Sequence, residues 1–160
     1  MVHEDAINRR RSKVEMYVHC VWTTKYRAAR LAPGIESRIH RCIVAQSEAV
    51  QCRVLAIGGT ADHVHLVVRL CGKISIADLM RKVKSTSSAL FNDLRPENSE
   101  RFNWQDGYGC FSLWYSQVDK AIAYVHSQKE RHAIGDLLDV FEQFDEPATA
   151  SQESVPYVFP

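Results

Sequence analysis

The segment Asp62-His63-Val64-His65-Leu66-Val67-Val68 constrains the fold of this chain more than any other. It is too short and too rich in β-branched residues for a helix, and it reads as a buried strand. Side chains alternate faces along a strand, so His63 and His65 share one face while Val64, Leu66 and Val68 share the other. The apolar face demands a helical or sheet layer against it. The imidazole face can hold a hydrogen-bond network or a cation, and the spacing alone fits both. Asp62 alternates away from the histidines and reads as a turn residue rather than a ligand. Far downstream, Tyr124 and Gln128 are four residues apart on an amphipathic stretch, so one helical turn can aim a phenol and an amide into the same small volume.

A chain of 160 residues is long enough for one domain with a proper core. Its five cysteines (Cys20, Cys42, Cys52, Cys71 and Cys110) are odd in number and widely spaced. That pattern predicts reduced, mostly buried thiols and no zinc knuckle. No apolar run is long enough to span a bilayer, and the first residues lack the hydrophobic core of a signal peptide, so the expectation is a cytoplasmic protein with no membrane association. Charge is divided along the chain. Residues 1–131 hold all 20 Lys and Arg against 13 acids, and the remainder holds six acids and no Lys or Arg. A basic body attracts polyanions such as nucleic acid; an acidic tail solubilises, folds back on the body or packs on a partner.

In chain order, residues 1–13 read as a flexible basic arm and residues 14–24 as a central strand with apolar side chains on both faces, Tyr17, His19 and Val21 sharing one of them. A basic loop follows, with Lys25 and Arg27 flanking Tyr26. Apolar positions Ile35, Ile39, Ile43 and Val50 predict a helix lying on a sheet. Residues 53–57 read as a strand that forms an antiparallel hairpin with the histidine strand across the loop 58–61. The Gly58-Gly59 pair lacks the Lys-Ser/Thr and helix of a phosphate-binding loop, which argues against a nucleotide cofactor. Ser75 and Asp78 predict the capped start of a second helix that Pro96 ends. A last strand is expected after Gly107, and Ser116 with Asp119 opens a third helix whose apolar stripe is Val118, Ala121, Ile122 and Val125, with Tyr124 and Gln128 on its flank, facing an open site. Residues 136–144 read as one more short amphipathic turn. This order predicts an α+β, ferredoxin-like split βαβ antiparallel sheet with two helices on one face and the tyrosine-bearing helix near the other. The expected divisions are the arm at 1–13, the domain at 14–134 and the acidic tail at 135–160.

Four segments together resemble one known family: Val18-His19-Cys20-Val21-Trp22-Thr23-Thr24-Lys25-Tyr26-Arg27, Asp62-His63-Val64-His65-Leu66, Phe102-Asn103-Trp104-Gln105-Asp106-Gly107-Tyr108-Gly109-Cys110-Phe111-Ser112, and Tyr124-Val125-His126-Ser127-Gln128. In these segments, and in their order, the chain resembles the single-tyrosine HUH transposases, the small insertion-sequence and repeat-associated enzymes. The resemblance implies that His63, His65 and Gln128 are the ligands of a divalent metal, Mg or Mn, and that Tyr124 is the nucleophile. It also implies a single-stranded DNA substrate, often recognised through a hairpin, and a homodimer in which the tyrosine helix of one protomer can complete the site of the other. The chain departs from the family pattern after Gln128, where Lys129-Glu130-Arg131-His132-Ala133 keeps one histidine of a customary pair, and at Trp114-Tyr115, where smaller residues are customary.

The implied chemistry is coherent. A cation held by two imidazoles and an amide keeps positions open for a scissile phosphate, and a tyrosine with a free pKa near ~10 needs that activation. Attack leaves a 5′-phosphotyrosine that a later 3′-hydroxyl can reverse without a nucleotide cofactor. Lys25, Arg27, Arg81, Lys82 and Lys84 are the candidate DNA-backbone contacts; Tyr26 and Trp104 are candidates for base stacking or for core packing. Two rival readings stand beside this one: a nucleic-acid-binding module of the same fold without cleavage, and a His-x-His zinc hydrolase. The absence of a clear acidic or cysteine third ligand weighs against the second.

Overall fold

The computed structural model describes residues 13–130. Nearly all of the basic arm, the short amphipathic turn expected at 136–144 and the acidic tail lie outside the described residues. Four strands, β1 (Tyr17–Thr23), β2 (Arg53–Gly59), β3 (His63–Arg69) and β4 (Gly109–Leu113), alternate with three helices, α1 (Pro33–Ala49), α2 (Ile76–Leu94) and α3 (Val118–His126). The strands form one sheet in the order β2-β3-β1-β4. Each adjacent pair is antiparallel. β1 and β2 are therefore parallel with β3 between them, and β3 and β4 are parallel with β1 between them. This is the expected split βαβ arrangement.

β3 is covered on both sides. Val64, Leu66 and Val68 join Val18, Cys20 and Trp22 of β1 beneath Ile39 and Ile43 of α1 and Leu79, Met80 and Val83 of α2. Full burial of each Ile or Leu in such a layer contributes about 1.5–3 kcal/mol relative to exposure. On the other face Ala56 and Val67 pack with Val118, Ala121, Tyr124 and Val125 of α3.

Local chemistry sets the boundaries. Pro33, with its fixed φ, starts α1 where no side chain caps it. The helix ends with Gln51 in the left-handed region, Cys52 N–H donating to Ser47 O (3.0 Å) and Gln51 N–H to Glu48 O (2.9 Å), a Schellman closure usually made by glycine. At α2 the Ser75 hydroxyl accepts the Asp78 N–H (3.0 Å), as the capping pattern predicts. α3 starts later than Ser116 implies: a 3-10 turn at Tyr115–Gln117 precedes it, held by the Trp114 N–H donating to Gln117 Oε1 (2.8 Å). β2 runs through the glycine pair, with a bulge between Val54 and Ala56.

Gly58 is the position at which α3 touches the sheet. A Cβ there would lie 2.4 Å from the Val125 carbonyl oxygen. Gly34, in the first turn of α1, has nothing within 4 Å of the same position. Gly58→Ala is expected to destabilise the fold by about 1–3 kcal/mol through overpacking, whereas Gly34→Ala should stabilise it by up to about 1 kcal/mol. Urea unfolding of the two variants checks this; equal midpoints would show that α3 does not rest on Gly58.

Candidate active site

Strand pairing places Thr23 opposite His63 and Val21 opposite His65, and His19 one step further along the same face. The loop that begins β3 supplies Thr60 and Asp62, and α3 closes the face from above.

His63 is fully buried, and its Nδ1 lies 2.7 Å from Asp62 Oδ1. The same oxygen accepts the Thr60 hydroxyl (2.9 Å), and Asp62 Oδ2 accepts Arg27 Nε (3.2 Å). Burial acts to raise the Asp62 carboxyl, but the hydrogen bonds from His63 and Thr60 and the charges of His63 and Arg27 outweigh it and hold the group below its ordinary value. The carboxylate can accept a hydrogen bond from His63 Nδ1–H, and His63 Nε2 faces Gln128 Oε1 at 3.4 Å. The other end of that amide donates to Tyr124 O (3.4 Å), consistent with the oxygen pointing at His63.

His65 is also fully buried; its Nδ1 is 2.8 Å from His19 Nε2, and the two rings stack with centroids 5.0 Å apart. The rings of His63 and His65 meet edge to face at 5.0 Å, and the Tyr124 ring meets His65 edge to face at 5.9 Å. The two histidines, the tyrosine and the glutamine are thus brought together.

Two details differ from expectation. Gln128 does not continue the tyrosine helix, because α3 ends at His126 with Ser127 as its cap. Tyr124 and Gln128 also do not face an open site: they are 0% and 1% exposed. Tyr124 lies in the middle of the buried stripe because Ala56 and Gly58 leave room for α3 to settle onto the sheet.

His63 Nε2 and Gln128 Oε1 are a donor pair that could share a divalent cation. In the tautomer that carries its proton on Nδ1, His63 Nε2 and Gln128 Oε1 would be two acceptors 3.4 Å apart, an arrangement that a cation between them would satisfy. Adjacent ligands on an octahedral ion with bonds of ~2.1 Å sit about 3 Å apart. Among the described residues no three His, Cys, Asp or Glu converge on one point, so the third donor would be the Gln128 amide. Imidazole suits manganese better than magnesium.

The predicted basic contacts divide. Arg27 reaches the site through Asp62, and Lys25 lies over the Tyr26 ring, 5.4 Å from its centroid. Arg81, Lys82 and Lys84 ride on α2, in the layer across the sheet from the histidines, and Arg81 pairs with Asp78 at 2.7 Å. Lys84 is turned inward and donates to the carbonyls of Gln105 (2.8 Å) and Gly107 (2.7 Å), pinning the loop before β4. Burial lowers its pKa, with Asp106 opposing the shift. Trp104 is core: it packs on Trp22 and Phe102, and its Nε1 donates to Ser87 Oγ (2.9 Å).

Sequence reasoning missed three participants. His19 was visible in the alternation of β1, yet its partner depends on strand pairing. Asp62 is a turn residue as expected, but its carboxylate folds back onto the ring of its neighbour. Glu36 is buried in the first turn of α1 and takes Lys129 Nζ at 2.7 Å, tying the chain beyond α3 to α1 beside a cleft of about 480 Å³.

Residues 12–128 match the family model described as transposase IS200 like. The chain belongs to this family. IS200-like proteins are transposases, DNA-binding enzymes of strand transfer. Two solved structures are similar in fold. A candidate transposase from Deinococcus radiodurans R1 aligns with a TM-score of 0.59 at 18% identity, over 74% of this chain and 95% of that one. A REP-associated tyrosine transposase bound to a REP hairpin aligns with a TM-score of 0.58 at 12% identity, over 80% of this chain and 74% of that one. No curated protein matches the sequence. No helix among the described residues is long and apolar enough to cross a membrane.

The lowered Asp62 pKa carries a pH dependence with a definite sign. The stability it contributes is present above the unfolded-state value of about 4 and is lost as pH falls through the lower folded-state value. Asp62→Ala should therefore cost most stability near neutral pH, and the gap from the wild type should narrow below about pH 4. Urea midpoints across that range measure it; a gap that widens on acidification would contradict the assignment.

Proposed function

We propose that this IS200-like transposase cuts and rejoins single-stranded DNA through a covalent bond to Tyr124. The observation that carries the reading is the meeting of His63, His65, Gln128 and Tyr124 under α3 in a member of a transposase family. His63, His65 and Gln128 would hold a divalent cation, which when bound neutralises the scissile phosphate and makes its phosphorus more electrophilic. With Nδ1–H of His63 given to Asp62 and Nδ1–H of His65 given to His19, both rings would turn Nε2 toward the cation.

Tyr124 Oη forms a bond to phosphorus as the bond to the 3′-oxygen breaks. The phenolic proton passes to water, and the departing 3′-oxygen takes one up. The products are a 5′-phosphotyrosine and a free 3′-hydroxyl, and the reverse attack by a 3′-hydroxyl reseals DNA with no nucleotide cofactor. Lys25 and Arg27, at the edge of the site, neutralise the backbone of the strand. The substrate is single-stranded DNA bearing a hairpin, in line with the hairpin bound to the REP-associated relative. The working unit is a homodimer in the cytoplasm.

Complete burial of Tyr124 favours a second reading, a DNA-binding module of the same fold that does not cleave. One experiment separates them. The protein is incubated with hairpin-bearing single strands from the flanks of its own gene, with manganese, magnesium or chelator, and adducts are mapped by mass spectrometry. The expected result is a metal-dependent DNA adduct on Tyr124 that is absent from Tyr124→Phe. Tight binding with no adduct under any metal would replace the transposase reading with the binding module.

The imidazole supports give a separate test. His19→Leu should weaken manganese binding, read by titration and by the Mn(II) resonance spectrum, by about 10–100-fold. His19→Gln, which keeps an acceptor for His65 Nδ1–H, should recover most of that loss. Equal affinities in all three proteins would remove His19 from the metal site.

A further inference from the structure

We infer that Tyr26 is the stacking platform of a nucleotide-binding notch, which takes one unpaired DNA base beside the His63 site. The notch begins where β1 ends, in the turn Lys25–Arg27. Both Tyr26 (φ 59°) and Arg27 (φ 53°) are in the left-handed region, which a bulky aromatic side chain rarely adopts. Nevertheless the turn is anchored on every side. Thr24 N–H donates to Asp62 O (2.8 Å), Lys25 N–H to Asn103 O (3.0 Å), Arg27 N–H to Thr24 O (3.0 Å), and the Thr24 hydroxyl to Ala28 O (2.7 Å).

The strained residue is not strained in order to bury its ring: Tyr26 is 83% exposed. A glycine would hold the same backbone without the steric penalty. A fixed, strained turn that holds an aromatic ring in solvent is the mark of a binding element.

The surroundings indicate the ligand. Tyr26 borders a cleft of about 270 Å³ whose wall includes Lys25, Arg30, Arg101 and Asn103, with Glu100 the one acid on it among the described residues. Arg30 is held in place, donating to Glu100 O (2.8 Å) and lying over the Phe91 ring. Lys25 sits over the Tyr26 ring. An aromatic face beside Lys25 and Arg101, with Arg30 paired to the Glu100 carboxylate (3.5 Å) and an amide on the wall, matches a nucleobase and its phosphate, and stacking tolerates any base. Arg27 links the turn to Asp62 and so to His63, so the notch adjoins that site, and we take its occupant to belong to the strand that is cut. In that last respect the inference rests on the proposed strand cleavage; the notch itself does not.

The test uses the full chain and a series of 15-nucleotide thymidine strands, each with a single 2-aminopurine at a different position. Wild type should quench the fluorescence at one register. Tyr26→Gly should melt at a higher temperature, because the left-handed strain is relieved, yet bind about tenfold more weakly and lose the quenching. Tyr26→Trp should keep both binding and quenching. Lys25→Ala and Arg101→Ala should each lower the salt dependence of binding by about one phosphate contact.

Unchanged affinity and quenching in Tyr26→Gly would overturn the proposal, as would failure of the wild type to quench at any register. The Tyr124 adduct is scored separately. An adduct that forms normally while Tyr26→Gly binds like wild type leaves strand cleavage standing and removes the notch. Loss of binding in Tyr26→Gly with no adduct in the wild type leaves the notch standing and removes cleavage.

Discussion

Everything in this molecule depends on β3 being buried on both faces. One face, Val64, Leu66 and Val68, is ordinary hydrophobic core under α1 and α2. The other carries two histidines, and imidazoles taken out of water must find partners or destabilise the fold. The polar network on that face is therefore a condition of folding as well as the basis of any chemistry. Asp62 and His19 meet the need at one end of each ring, and each does so from a position fixed by the sheet: Asp62 from the turn that starts β3, His19 from the neighbouring strand.

Closing that face required small residues on the strand next door. Ala56 and Gly58 let α3 approach so closely that the backbone of Val125 lies against the backbone of β2. The same approach drives Tyr124 inward against His65 and brings Gln128 to His63. The packing that stabilises α3 also assembles the four side chains. It leaves the phenol sealed, so any attack on a phosphate has to be preceded by its uncovering, and the stability of α3 on the sheet is set against access to the nucleophile. The Glu36–Lys129 pair adds a charged tie just beyond the helix, on a carboxylate that is itself buried.

The basic residues that look alike in sequence have different surroundings in the fold. Arg81, Lys82 and Lys84 look equivalent along the sequence, yet Arg81 is matched by Asp78 one turn away, and Lys84 spends its protons on two carbonyls of the loop before β4. Lys25 and Arg27 are only two residues apart, but they flank a strained aromatic turn and one of them reaches the histidine network. What distinguishes the two groups is their position relative to the sheet.

Much of the fold was legible in the sequence because it follows from periodicity. The alternation around His63 and His65, the stripe of Ile39 and Ile43, and the Ser75 cap are local patterns whose physical meaning does not depend on distant residues. The pairing of the two histidines with Tyr124 and Gln128 was legible through motif resemblance, and the sheet order made it geometrically possible. Other features were decided only by tertiary structure. His19 becomes the partner of His65 through the β1–β3 register, and Asp62 returns to His63 because Thr60 and Arg27 fix its carboxylate. Lys84 turns inward because a loop 21 residues away presents its carbonyls. Tyr124 is buried rather than open because α3 finds no Cβ at Gly58. Sequence by itself determined which face each side chain occupies, since that is set by backbone geometry within a few residues. Only the folded chain decided which of those side chains meet, because hydrogen bonds and close contacts form between segments that chain order leaves far apart.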